Sequence, residues 1–187
     1  MRPETGELLI AIARSAIARR LEREHPAHAA DAPWLNEPGA TFITLMQSGR
    51  LRGCIGSLRA HRPLIDDVRA NAVAAAFHDP RFKPLRHEEF DLTDIEISLL
   101  SALQPLEAGD EEHALAQLKP GVDGLVFQYG HHQSTFLPQV WEQFNEPREF
   151  LSHLKYKAGL PPDFWDAQVK LQRYTVSKWR EQDLRTS

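Results

Sequence analysis

The sequence predicts an α+β fold with mainly antiparallel sheets and packed helices. Two observations carry this: helical apolar spacing alternates with paired strand-like runs, and those runs are joined by turns too short for parallel crossovers. A third bounds the size: 187 residues suffice for one domain with a sizeable core, without a disulfide or metal staple. Ile10, Ala13, Ile17 and Leu21 recur at three and four, predicting a helix from about residue 6 to 24 with Thr5 as its cap. The proline-rich stretch HPAHAADAPWLNEPG follows as an exposed connection. TFITLMQSGRLRGCIGSL then has the form of a hairpin turning at Gln47-Ser48-Gly49-Arg50.

Ile65, Val68, Ala72, Ala75 and Ala76 define the next helix, with Pro63 in its first turn and Asp66 and Asp67 near its positive end. HDPRFKPL breaks it, and DIEISLLS alternates Ile95, Ile97 and Leu99 with Glu96 and Ser98 as a two-faced strand. A short helix over 110–118, a second hairpin turning near 130–133, and two helical pieces separated near 145–147 come next. Gly159 and the prolines at 161 and 162 stop the last helix, and AQVKLQRYTVSKW reads as strand. Trp141, Phe144, Phe150 and Leu154 are expected as helix-packing residues.

Composition excludes several function classes. A net charge of −4 gives no case for nucleic-acid binding. A single cysteine rules out an internal disulfide and every multi-cysteine metal set. Neither a targeting segment nor a membrane span is legible, so a cytoplasmic protein is expected. The P-loop, GxGxxG, HExxH and GxSxG motifs are all missing, and neither cofactor nor metal is expected. His131 and His132 read as a solvated turn.

The chemistry concentrates at residues 51–57. As a strand, this stretch puts Arg52, Cys54, Gly56 and Leu58 on one face, and Leu51, Gly53, Ile55 and Ser57 on the other. An arginine two residues from a thiol favours thiolate, and Gly56 leaves room beside it for a ligand. Two readings stand. In one, Cys54 is a nucleophile or covalent carrier that needs a base, with His61 and His78 as candidates; in the other, it is a small apolar filler where the glycines mark a close-packed helix or a bulge. His78, Asp79, Arg81 and Lys83, held by Pro80 and Pro84, form a second polar concentration that reads either as a rigid pocket-lining loop or as a helix-terminating turn with Asp79 and Arg81 paired or capping backbone. Glu96 reads either as a general acid or base, as an anchor for Arg52 or Arg81, or as a solvated strand residue.

LRGCIG at 51–56, with AAFHDPRFKPL, IEISLLS, DGLVFQYGHHQSTFLPQVW and EFLSHLKYKAGL, resembles the AMMECR-type domain family, also called AmmeMemoRadiSam system protein A. The resemblance spans about residues 5 to 178. It implies a single domain over 1–187, with a larger lobe holding both termini and a smaller lobe from the middle of the chain. It also implies a groove near LRGCIG, with Cys54 as the candidate catalytic residue and Arg52, Gly53, Gly56, Ser57, Asp79, Arg81 and Glu96 as candidate binding residues for a small molecule. The family name implies a modification pathway shared with Memo-like and radical SAM proteins as partners. It implies no particular reaction, and a non-catalytic binding or scaffold module is the alternative. Family members commonly carry a cysteine where this chain has Lys155, which counts against a two-cysteine mechanism here.

Overall fold

The computed structural model describes residues 3–25, 32–144 and 146–184. It is α+β, and it divides into two compact units: Met1–Leu100 with Ser177–Ser187, and Ser101–Val176.

The first unit is built on a four-stranded sheet of β1 (Thr41–Gln47), β2 (Arg50–Gly56), β3 (Asp94–Leu100) and β8 (Val176–Arg180), in the order β2-β1-β3-β8. The β1–β2 and β1–β3 pairs are antiparallel, and β2 is an edge strand. Ser48 and Gly49 turn the β1–β2 hairpin with φ of 48° and 74°, the left-handed conformation that a two-residue hairpin loop demands. Helices α1 (Pro3–Arg20) and α2 (Leu64–Phe77) share a core with this sheet. Leu9, Ile10, Ile12, Ala13, Ile17 and Ala18 of α1 are buried there with Ile43, Leu45, Ile95 and Ile97 of the strands. Arg14, which interrupts that apolar run, is buried and donates through Nε and Nη2 to Glu181 of α5 (Glu181–Leu184), at 2.7 and 2.5 Å.

The second unit carries a sheet of β4 (Gln104–Leu106), β5 (Gly124–Tyr129), β6 (His132–Phe136) and β7 (Lys170–Tyr174), in the order β4-β7-β5-β6. Helices α3 (Glu111–Gln117) and α4 (Pro147–Lys157) contribute to its core with Leu125, Phe127 and Leu171. Trp141 stacks on Phe150 with ring centroids 3.7 Å apart. Lys155 is fully buried, and its ammonium donates to Glu111 at 2.7 Å.

Several sequence expectations change. The first helix begins at Pro3, so Thr5 lies inside it and is not its cap, and it ends at Arg20. Pro63 stands at the N-cap of α2 and not within its first turn. In the proline-rich connection, 33–36 form a 3-10 turn that buries Leu35, while 26–31 lie outside the described residues. The tail strand is two strands in two different sheets, and β4 and α5 had no clear signal in the sequence because both are so short. Among the described residues, no helix is long and apolar enough to cross a membrane.

Helix α2 crosses β2 at Gly53, where a Cβ would stand 2.1 Å from the Ala75 carbonyl oxygen. That oxygen is backbone, so relief requires the helix itself to move. Gly53→Ala is expected to destabilise the protein by about 1–3 kcal/mol, the usual cost of overpacking. Urea unfolding checks this as a lower midpoint at unchanged slope.

Candidate functional site

The LRGCIG strand is irregular at its second residue. Leu45 lies opposite Gly53 but Met46 lies opposite Leu51, so Arg52 is an extra residue in β2. This bulge corrects the simple alternation: Leu51 leaves the face of Gly53 and Ile55 and is 41% exposed. Beyond the bulge the alternation holds. Gly53 and Ile55 turn toward the helices, and Cys54 pairs with Thr44, which in turn pairs with Glu96.

Cys54 is half-buried, and its Sγ accepts a hydrogen bond from Thr44 Oγ1 at 3.3 Å. Its backbone is held from outside the sheet. The Cys54 amide donates to Asp79 Oδ2 at 2.9 Å, and its carbonyl accepts from Arg81 Nη2 at 3.2 Å. Asp79 and Arg81 are themselves joined by two side-chain hydrogen bonds, Nε to Oδ1 at 3.0 Å and Nη2 to Oδ2 at 2.7 Å, and by one from the Arg81 amide to Oδ1 at 3.1 Å. The pair thus occupies the place of a neighbouring strand along one residue of the edge. The Arg81 guanidinium, aided by the Cys54 and Arg81 amides, holds the Asp79 carboxyl well below the usual carboxylate range despite its burial.

Arg52 is engaged elsewhere. Its Nε and Nη2 donate to the two oxygens of Glu89 at 3.2 and 3.1 Å, and Nη2 also approaches the Pro84 carbonyl at 3.5 Å. Arg52 chiefly, with the Arg86 amide, lowers the Glu89 carboxyl from 4.5 to about 2. Arg52 Nη1 is buried and has no hydrogen-bond partner among the described residues.

At the far end of the motif, Ser57 Oγ donates to Asp67 Oδ1 at 2.7 Å. Asp67 is fully buried and also accepts from the Thr41 amide and hydroxyl, Asn71 and Arg62. A Cβ on Gly56 would meet the Phe42 ring at 2.3 Å and the Thr41 carbonyl at 2.6 Å. The room beside the thiol expected at Gly56 is therefore filled by Phe42.

Glu96 pairs with Lys178 at 2.5 Å and Arg180 at 3.4 Å, and anchors neither Arg52 nor Arg81. The structure thus gathers Cys54, Asp79 and Arg81 around one backbone position. It places Arg52 with Glu89, Ser57 with Asp67, and Glu96 on the neighbouring strand pair. His61 is exposed, with Nδ1 3.0 Å from the Arg59 carbonyl, and His78 is the C-cap of α2. Among the described residues, no group of three or more His, Cys, Asp or Glu side chains is placed to hold a metal ion. Thr44 and Glu89 escaped sequence reasoning: their relation to the motif exists only once the strands pair and the 87–92 turn folds back.

The AMMECR1 family model matches residues 10–179. The chain belongs to the AMMECR1 family. A protein of Methanothermobacter thermautotrophicus is 36% identical over 182 residues, covering 95% of each chain. One from Aeropyrum pernix is 37% identical over 186 residues, covering 96% of this chain and 80% of its own length. The crystal structure of an uncharacterized protein from Pyrococcus horikoshii is similar with a TM-score of 0.83 at 34% identity, covering 97% of this chain and 94% of that one.

The two depressed carboxyls fix a direction of pH dependence. A carboxyl whose folded pKa is lowered stabilises the fold above its ordinary value, and this contribution is lost as pH falls through the folded one. For Glu89 the window runs from 4.5 down to about 2. Glu89→Gln is expected to lower stability at neutral pH and to flatten the dependence in that window, as read by urea midpoints measured across it.

Proposed function

We propose that this AMMECR1-family protein is a small-ligand-binding component of a modification pathway shared with Memo-like and radical SAM proteins, with LRGCIG as its binding edge. Cys54 is a contact residue in this reading and not a nucleophile. The observation that supports it is the engagement of the charged side chains around the motif. A nucleophilic thiol is activated by a base, or by an uncommitted cation, beside the sulfur. Asp79 and Arg81 are instead bonded to each other and to the Cys54 backbone, Arg52 to Glu89, and Glu96 to Lys178 and Arg180.

One observation favours a second reading, in which Cys54 is a nucleophile or covalent carrier. The Thr44 hydroxyl donates to Sγ at 3.3 Å, and a donor to sulfur stabilises a thiolate. Complementation separates the two. In a host whose own copy is deleted, folded Cys54→Ala protein is expected to restore the lost phenotype to near the wild-type level. Complete failure by a variant whose circular dichroism and thermal unfolding match wild type would transfer the function to the thiol.

A further inference from the structure

Arg52, Lys83, Pro84, Arg86 and Glu89 line a cavity of about 410 Å³ on the first unit. Its volume lies within the ~300–1,000 Å³ range of small-molecule sites. Three of the lining residues are cationic and one is a carboxylate. Glu89 stays ionised because Arg52 holds it, and Glu88, outside the lining, pairs with Arg86 at 2.9 Å. Lys83 is exposed and has no hydrogen bond or ion pair among the described residues. Arg52 Nη1 is buried and likewise lacks a hydrogen-bond partner among the described residues.

The loop carrying Lys83 is fixed at both ends. Asp79 is tied to the Cys54 amide, and buried Leu85 donates its amide to the Ala76 carbonyl at 2.8 Å. The backbone of Lys83 is therefore held beside Arg52 and Arg86 by contacts unrelated to its charge. A loop fixed in this way adds little ordering cost when an anion binds.

We propose that this cavity binds the terminal phosphate of a small phosphate monoester. Glu89 already occupies the Arg52 fork with one carboxylate, so the remaining demand is for charge beyond it. With Glu88 on Arg86 counted, one positive charge, that of Lys83, is uncompensated, and a phosphate monoester of about −1.5 to −2 at pH 7 brings enough oxygens to accept from Lys83 and the Arg86 guanidinium together. The proposal deepens the binding reading above and rests on it by naming the ligand's charged group.

The test is titration of the full chain with inorganic phosphate at low ionic strength, followed by amide and guanidinium chemical shifts. Saturable millimolar binding is expected, with the largest shifts at Arg52, Lys83 and Arg86. Lys83→Ala is expected to weaken it about tenfold, the loss of one charge-assisted contact. Lys170→Ala, an exposed lysine in the second unit, is expected to leave it unchanged. Unsaturable shifts, equal weakening by the two variants, or acetate binding as tightly as phosphate at matched ionic strength would each overturn the proposal. The two readings fail separately: phosphate titration needs no thiol, so Cys54→Ala protein that fails to complement but still binds phosphate removes only the non-covalent role of Cys54.

Discussion

An edge strand exposes backbone donors and acceptors that a sheet interior would satisfy, and β2 meets that problem at Cys54 with a single ion pair. Asp79 is 4% exposed, and its carboxylate accepts from the Cys54 amide, the Arg81 amide and the Arg81 guanidinium. Burying such a group is tolerable only because each oxygen is hydrogen-bonded and the charge is matched. Arg81 then reaches back to the Cys54 carbonyl and closes the ring. Through this contact the loop after α2 is fastened to the hallmark strand, and the placement of Lys83 follows from it.

The rest of the hallmark is held in the same backbone-centred way. Gly53 admits the Ala75 carbonyl, Gly56 admits the Phe42 ring, and Ser57 joins the buried network around Asp67. The glycines are required here by close approach of neighbouring atoms and not by an unusual turn. A motif so committed to its own backbone leaves few side-chain atoms for a ligand: the Cys54 sulfur beside Thr44, and the cationic cavity at Arg52. These two features carry the functional account.

The fold class was legible because helical and alternating periodicities are local, and the LRGCIG hairpin announced its turn in Ser48-Gly49. A bulge was among the readings the glycines allowed, but its position at Arg52 was not legible, since register is set by pairing with β1. Spacing placed Arg52 and Cys54 two residues apart, but it could not reveal that Glu89, 37 positions away, takes the guanidinium. Glu96 shows the same limit: its alternation with isoleucines was readable, whereas its partners Lys178 and Arg180 come from the other end of the chain. Apart from the Asp79–Arg81 pair, which lies two residues apart in one turn, sequence named the polar residues of the site well and their partners poorly, because the other partners are brought in by tertiary pairing.

The most direct test of the central constraint is hydrogen exchange at the Cys54 amide. With Asp79 in place the amide is expected to be protected although it lies on a sheet edge, and Asp79→Ala is expected to remove that protection while Ile43 and Ile97 amides in the core remain slow. A Cys54 amide that exchanges freely in the wild-type protein, or one whose protection survives Asp79→Ala, would contradict the account.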